Sequence, residues 1–188
     1  MHKKIIIMIP ILCFVITSCS SFSKIKTDNP EINLGEQLDS TLILVLPFSK
    51  KGEFLPSYAG SLFSNKLSDK LFLTDKYFVV DNNALGDILH QLSIKNLTRL
   101  TQKEILSIGS FANADYIISG TIFQYTDSEL IGLEAERKIN VSGKILNIHT
   151  ETTSGVINIF SRYKSANIID VFESITKKIV EGIEDNDS

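Results

Sequence analysis

Apolar residues after position 40 follow two spacings, one typical of β-strands and one typical of amphipathic helices. Two continuous apolar runs are typical of strands that are buried on both faces. Polar and apolar residues alternate around Gly143, and this glycine predicts a bulge at which the buried face changes. The five predicted strands are 41–48, 77–80, 114–122, 136–149 and 156–160.

Apolar residues three and four positions apart predict four helices between and after these strands. Ser57 is the expected N-cap of the first helix, and Thr101 with Glu104 forms a capping box for the third. The order β-α-β-α-α-β-β-β-α predicts an α/β fold in one domain over residues 41–184. We expect a mixed-sheet sandwich of about five strands flanked by about four helices. The predicted helices cover 57–73, 85–92, 101–112 and 168–183.

The first nineteen residues have the pattern of a bacterial secretion signal. Lys3 and Lys4 precede an apolar run over 5–15, which is too short for a bilayer that needs about 20 residues. Ile16-Thr17-Ser18-Cys19 then places two small residues before a cysteine, the pattern of a lipobox. We expect residues 1–18 to be removed as a lipoprotein signal peptide and Cys19 to carry lipid. The alternative is an ordinary secretion signal with an incidental cysteine.

Both ends of the predicted domain have the composition of irregular chain. Residues 19–40 would form the lipidated N-terminus and a flexible tether, because they are polar and show no sustained apolar period. The alternative is an edge strand that contains Ile32 and Leu34. Residues 185–188 are predicted to be a disordered tail.

The charge of the chain argues against a nucleic-acid partner. The formal net charge is −3, from 19 basic and 22 acidic residues. Removal of residues 1–18 would take away Lys3 and Lys4 and no acid, which leaves a formal net charge of −5. The same cleavage removes Cys13 and leaves Cys19 linked to lipid, so we expect no disulfide.

The residue types that carry catalysis or bind metals are few and scattered. His90 lies opposite the apolar face of its predicted helix, and His149 has no Cys, His or carboxylate pair near it at metal-ligand spacing. The acids of 127–136 could pair as acid and base, but carboxylates in loops are usually solvated. The sequence therefore predicts neither an enzyme nor a cofactor or metal site.

Three segments resemble a superfamily of bacterial envelope lipoproteins. They are Ile43-Leu44-Val45-Leu46-Pro47-Phe48, Tyr77-Phe78-Val79-Val80-Asp81 with Leu85-x-x-Ile88-Leu89, and Asn113-Ala114-Asp115-Tyr116-Ile117-Ile118-Ser119-Gly120-Thr121. The superfamily includes the curli-secretion lipoprotein CsgG, the flagellar lipoprotein FlgO, the synthase activator LpoB and the N-terminal domain of TolB. The resemblance covers nearly all of 41–183 and implies the fold and the compartment.

Three residues in the matching segments are expected to have structural roles. Pro47 ends the first strand, and Gly120 is expected to permit a close approach of backbone or helix. Asp115 is expected to cap or bond across the end of the preceding helix.

Two functions fit these observations. The first is a lipid-anchored interaction or accessory module for an envelope machine or a cell-wall synthase, with an unidentified envelope protein as its partner. The second is a self-assembling lipoprotein, a homo-oligomer that forms a ring or collar.

Ser20 follows the cysteine in place of the aspartate that retains enteric lipoproteins at the inner membrane. We therefore expect an outer-membrane lipoprotein that faces the periplasm, with the inner membrane or the cell surface as alternatives.

Overall fold

A computed structural model describes residues 25–38, 40–52, 54–97, 100–126, 136–164 and 166–187. The predicted signal peptide and Cys19 lie outside the described residues. The strands are β1 (Ile25–Thr27), β2 (Glu31–Leu34), β3 (Leu42–Val45), β4 (Ser49–Lys51), β5 (Phe78–Val79), β6 (Tyr116–Thr126), β7 (Arg137–Asn147) and β8 (Thr153–Tyr163). The helices are α1 (Ala59–Phe72), α2 (Asn82–Gln91), α3 (Gln102–Phe111) and α4 (Ile168–Asn186).

The eight described strands form one mixed sheet in the order β1-β8-β7-β6-β3-β5. The long strands β6, β7 and β8 are antiparallel, whereas β3 pairs in parallel with both β5 and β6. Two short strands lie off this path. Strand β2 pairs with β8 on the same side as β1, and β4 pairs with β6 on the same side as β3. The predicted α/β fold is confirmed, with a mixed sheet and four helices among the described residues.

Helices cover both faces of the sheet at β3. Ile43 and Val45 point into a core shared with α1 and α4, whereas Leu44 and Leu46 point into a second core with α2 and α3. All four side chains are buried, which explains why this strand has a continuous apolar run.

Residues 25–34 form two edge strands, so the tether prediction is wrong for this stretch. Ile25 is in register with Tyr163, and Ile32 is in register with Ile157 and buried in the first core. The edge-strand alternative for Ile32 and Leu34 is therefore observed. Strands of three and four residues bury too few side chains to produce a visible apolar period, and their pairing depends on β8.

The C-terminal end is also ordered further than the sequence predicts. Helix α4 runs to Asn186, and the Asp187 carboxylate accepts hydrogen bonds from Leu38 N (2.5 Å) and Tyr77 Oη (3.2 Å). The prediction of disorder is wrong for residues 185–187, because this carboxylate joins the helix end to two other segments.

Local details at helix ends and in β7 test three further predictions. The capping box of Thr101 and Glu104 is confirmed. The N-cap of α1 is Tyr58 and not Ser57, and no side chain caps it. The break in register between β7 and β8 lies between Ile145 and Leu146, after the predicted bulge at Gly143.

Pro47 lies at an interruption between β3 and β4. Val45 is in register with Ile118, whereas Ser49 is in register with Thr121, so the chain around Pro47 contains one residue more than β6. An extra residue of this kind bends a strand. Proline lacks the N–H that a continuous ladder would need there, and the bend directs the next side chain into the core.

That next side chain, Phe48, packs against two glycines that face each other across β6 and β7. Gly120 is in register with Gly143, so this part of the sheet has no side chains on the core face. A Cβ at Gly120 would overlap Phe48 Cε1 and the carbonyl oxygen of Ser142, and would lie 2.9 Å from Gly143 Cα. The two glycines therefore leave the space that the aromatic ring fills.

Phe48 also connects the sheet to two helices. Its ring centroid lies 4.8 Å from that of Phe63 in α1, and Phe63 lies 5.2 Å from Phe172 in α4 with the rings edge to face. A Cβ at Gly60 of α1 would overlap the Phe48 carbonyl oxygen. Helix α1 therefore packs against the backbone of Phe48 at a distance that only glycine permits.

We expect Gly120→Ala to lower the free energy of unfolding by about 1 to 3 kcal/mol, because the new methyl group must displace Phe48 or the backbone of β7. The matched control is Gly86→Ala in α2, where a Cβ would meet nothing within 4 Å. That change should be neutral or stabilising by up to about 1 kcal/mol, because alanine favours helices. Urea unfolding of both variants measures the difference, and equal effects would contradict the packing described for Phe48.

Candidate functional site

The structure places the residues singled out from the sequence in two regions. Pro47 and Gly120 line one shallow groove on the open face of the sheet, together with Lys144. Asp115 lies at the beginning of β6, beside the turn that contains His149. Cys19 lies outside the described residues.

Asp115 joins the beginnings of β3 and β6. Its backbone N donates to Leu42 O (2.8 Å), and its Oδ2 accepts from Leu42 N (2.8 Å). Its Oδ1 lies 2.9 Å from His149 Nε2. The hydrogen bond from Leu42, followed by that from His149, lowers the pKa of the Asp115 carboxyl below its usual value.

The predicted bond from Asp115 across the preceding helix end is wrong. Carbonyl groups in the last turns of α3 already accept from the backbone N–H groups of residues 112–114. Those N–H groups are thus already used as donors within the helix end, and the carboxylate, which can only accept, accepts from Leu42 N at the start of the neighbouring strand instead.

A second polar cluster lies beside this pair, at the turn between β7 and β8. The Glu36 carboxylate accepts from Asn147 Nδ2 (3.1 Å to each oxygen) and from Ser154 Oγ. The hydrogen bond from Ser154, followed by those from Asn147, lowers the pKa of the Glu36 carboxyl. Burial, followed by the nearby Glu36 carboxylate, raises the pKa of Tyr116 to about 12. Asn147 Oδ1 in turn accepts from His149 N (2.8 Å) and so holds the turn.

These groups stabilise the turn between β7 and β8. The His149 side chain is 70% exposed, so its pairing with Asp115 is solvated and weak. Among the residues that the structure describes, no group of three or more His, Cys, Asp or Glu side chains could hold a metal ion.

Among the described residues, the three most exposed of the large apolar side chains lie at the end of α1 and on β5, the last strand of the sheet. Phe72 is 63% exposed, Leu73 is 74% exposed and Phe78 is 64% exposed. We call these three residues the apolar ridge. Val79 packs against the core of α1 and α4, so Phe78 beside it points to the other face of the sheet, and the three side chains lie around one edge of the sheet rather than on one face. A tight turn over 73–77 joins them, and grooves that contain Val79 and Val180 lie beside it.

The apolar ridge was not predicted from the sequence. Phe72 falls outside the stripe of Phe63, Leu67 and Leu71 that faces the core. This position on the helix is the sequence feature from which its exposure could have been predicted. The exposure of Phe78 depends on β5 being the terminal strand, which the local sequence does not show.

No protein-family model and no curated protein matches this sequence. Solved structures do match it. Lipoprotein GNA1162 from Neisseria meningitidis aligns with a TM-score of 0.54 at 11% identity, over 77% of this chain and 99% of that one. A PelC dodecamer from Paraburkholderia phytofirmans, in a leucine-to-methionine variant, aligns with a TM-score of 0.50 at 11% identity, over 86% and 97%. The LpoB C-terminal domain from Escherichia coli has a TM-score of 0.45 at 13% identity, over 65% and 83%.

The chain shares its fold with lipoprotein GNA1162. At this identity the likeness concerns the fold alone, so the resemblance to bacterial envelope lipoproteins holds at the level of a lipoprotein-like fold. Within the described part of the chain, no helix is both long and apolar enough to cross a membrane.

We expect stability to fall as the pH drops through the acid range, partly because of Asp115 and Glu36. Their lowered pKa values mean that the unfolded chain binds protons more readily than the folded protein. The contribution of these two carboxylates to the free energy of unfolding is therefore complete above their pKa values in the unfolded chain, about 3.9 and 4.3. It is lost as the pH falls through their lower pKa values in the folded protein. Asp115→Asn should make the acid side of the stability curve less steep in urea unfolding measured across pH.

Asp87→Asn on α2 is the matched control, since Asp87 is an exposed carboxyl on another surface. If both variants change the acid slope equally, the pairing of Asp115 with Leu42 and His149 does not set it.

Proposed function

We propose that this chain is a membrane-anchored lipoprotein of the cell envelope that acts by contact, without chemistry of its own. In this proposal it is an accessory module for an envelope machine or a cell-wall synthase, and it belongs to the superfamily that its sequence segments resemble. The observation that carries the proposal is the apolar ridge, three large apolar side chains each more than 60% exposed. Exposed apolar patches on soluble domains commonly mark sites of protein interaction.

The surroundings of the apolar ridge fit a protein interface. Interfaces commonly have an apolar centre and a polar rim, and a few large side chains supply most of the binding energy. Here Lys76 and Glu184 form an ion pair (3.4 Å) beside the turn that follows Leu73. Lys70 and Glu181 line the groove next to the same leucine.

The lipobox supports the anchoring part of the proposal. Cys19 would become the lipid-bearing N-terminus, and Ser20 favours transfer to the outer membrane with the domain in the periplasm. The shared fold with lipoprotein GNA1162 supports an envelope lipoprotein.

The second candidate function is self-assembly into a ring or collar. It is favoured by the likeness to PelC, which is a dodecamer in its crystal structure. The sheet also has two different edges, β5 at one side and β1 with β2 at the other. Two different surfaces of this kind can join head to tail, and such contacts form a ring when the rotation between successive copies closes. Particle size of the detergent-extracted protein separates the candidates, since discrete large particles favour assembly and monomers favour the docking module.

We expect Cys19→Ala to abolish lipid labelling, because the lipid is attached to the lipobox cysteine and the other cysteine, Cys13, follows the bulky Leu12 and does not fit a lipobox. Metabolic labelling with a radioactive fatty acid, followed by membrane fractionation, measures the effect. Cys13→Ala is the matched control and should label normally. Wild-type labelling of the Cys19→Ala protein would contradict the lipobox interpretation.

We expect the double variant Leu73→Ser, Phe78→Ser to lower crosslinking to an envelope partner in intact cells at least tenfold, because interface hot spots are worth about 2 kcal/mol or more. Ile169→Ser is the control, since Ile169 is 42% exposed on α4, away from the apolar ridge. Crosslinking is quantified by mass spectrometry at equal protein levels. Unchanged crosslinking would contradict the role of the apolar ridge, and conversion of large particles to monomers would favour self-assembly.

A further inference from the structure

One face of the sheet is open at the end where the described chain begins. On β1, β8, β7 and β6, the residues Lys26, Arg162, Lys138 and Tyr125 occupy one row of the register. Residues in register point to the same face of a sheet, and four adjacent strands span about 14 Å. Three basic side chains and a tyrosine therefore lie side by side.

A second row on the same face adds aromatic rings and another cation. Phe160 and Phe123 lie two residues further along β8 and β6, and their rings are half-buried. Arg162 Cζ lies 5.3 Å from the Phe160 centroid, and Lys51 Nζ lies 5.2 Å from the Phe123 centroid. We call Lys26, Lys51, Tyr125, Lys138, Phe160 and Arg162 the basic-aromatic patch.

The basic-aromatic patch contrasts with the acidic charge of the whole chain. Its four cations stand beside two described carboxylates, Asp28 and Glu136, at neighbouring positions of the same strands. Among the described residues, the excess of cations, together with the exposed Tyr125 ring and the half-buried Phe160 ring, complements an anionic surface that has an apolar layer beneath it. Lipid headgroups have this arrangement, since lysine and arginine bind their phosphates and tyrosine lies at the interface.

The length of chain before β1 brings this end of the sheet close to a membrane. Five residues separate Cys19 from Ile25, and the six Cα–Cα steps between them reach about 21 Å when fully extended. This step rests on the proposed lipidation of Cys19. An anchored protein would then hold the first residue of β1 within that distance of the lipid surface, beside Lys26.

We infer that the basic-aromatic patch lies against the phosphate headgroups of an anionic lipid surface and orients the domain on its membrane. The turn that contains His149 then points away from the lipid, at the far end of β7. That strand has eleven residues and is about 34 Å long. The patch and the lipid anchor together provide the two signals that stable membrane binding requires.

The first experiment uses the chain from Ser20 onward, which contains every described strand and helix and cannot be acylated. Its partition is measured by flotation with phosphatidylcholine vesicles, with and without a minority of phosphatidylglycerol, at low salt. By sequence, residues 127–135 contain three more carboxylates, whose charge opposes binding to anionic lipid. The cations of the patch are therefore replaced one at a time, so that each variant reports the contribution of one side chain. We expect Lys26→Gln and Arg162→Gln each to lower partition into the anionic vesicles about fivefold.

Lys103→Gln is the matched control, because it removes an exposed lysine on α3, outside the patch. Its partition should equal that of the wild-type chain, and unfolding midpoints verify that all variants fold. Equal partition into both kinds of vesicle, or an equal loss with Lys103→Gln, would overturn the inference. Displacement by inorganic phosphate at matched ionic strength would also overturn it, since that result indicates a discrete phosphate site.

The second experiment uses the mature protein extracted with its lipid and separates the anchor from the patch. Flotation with pure phosphatidylcholine vesicles tests the anchor alone. If the mature protein floats there but the Ser20 chain shows no preference for anionic vesicles, the anchor stands and the patch inference fails. If the mature protein does not float there but the Ser20 chain loses partition with Lys26→Gln, the anchor fails and the patch inference stands.

Discussion

The packing of Phe48 against the paired glycines Gly120 and Gly143 is the contact on which the rest of this structure depends. The interruption at Pro47 turns the ring into the core, and the absence of side chains on both glycines leaves room for it. The same ring packs against that of Phe63, and the Phe63 ring packs against that of Phe172. One bend in a strand therefore sets the distance of α1 and α4 from the sheet, and with it the position of the α1 end that carries Phe72 and Leu73.

The arrangement of helices on the sheet separates three surfaces with different chemistry. Helices α1 and α4 cover one face, whereas α2 and α3 contribute to a core on the other face around β3 and the start of β6. The apolar ridge lies at the β5 edge, the basic-aromatic patch lies on the open face where the chain begins, and the Asp115 and Glu36 clusters hold the opposite end. A protein that acts by contact can use such separate surfaces at the same time, because binding at one does not cover another.

Much of the fold was predictable because its main elements have strong periodicity. The run at 41–48 is apolar throughout because alternate residues, such as Ile43 and Leu44, enter two different cores. The short strands β1 and β4 were not predicted and β2 only as an alternative to a tether, since three or four residues give almost no period. The partner of Asp115 was predicted wrongly, because Leu42 lies 73 positions away in the chain. A local rule for helix ends cannot identify a partner at that separation.

The sequence by itself determined which stretches are helices and long strands, the order of those elements, and the lipobox pattern at Cys19. These features depend on residue spacing and on neighbouring side chains, which are local. Only the tertiary structure decided that residues 25–34 close one edge of the sheet, that Phe78 lies exposed at the other edge, and that Lys26, Arg162 and Lys138 form one row. Exposure and register depend on which distant strand or helix lies alongside, and that is a property of the whole fold.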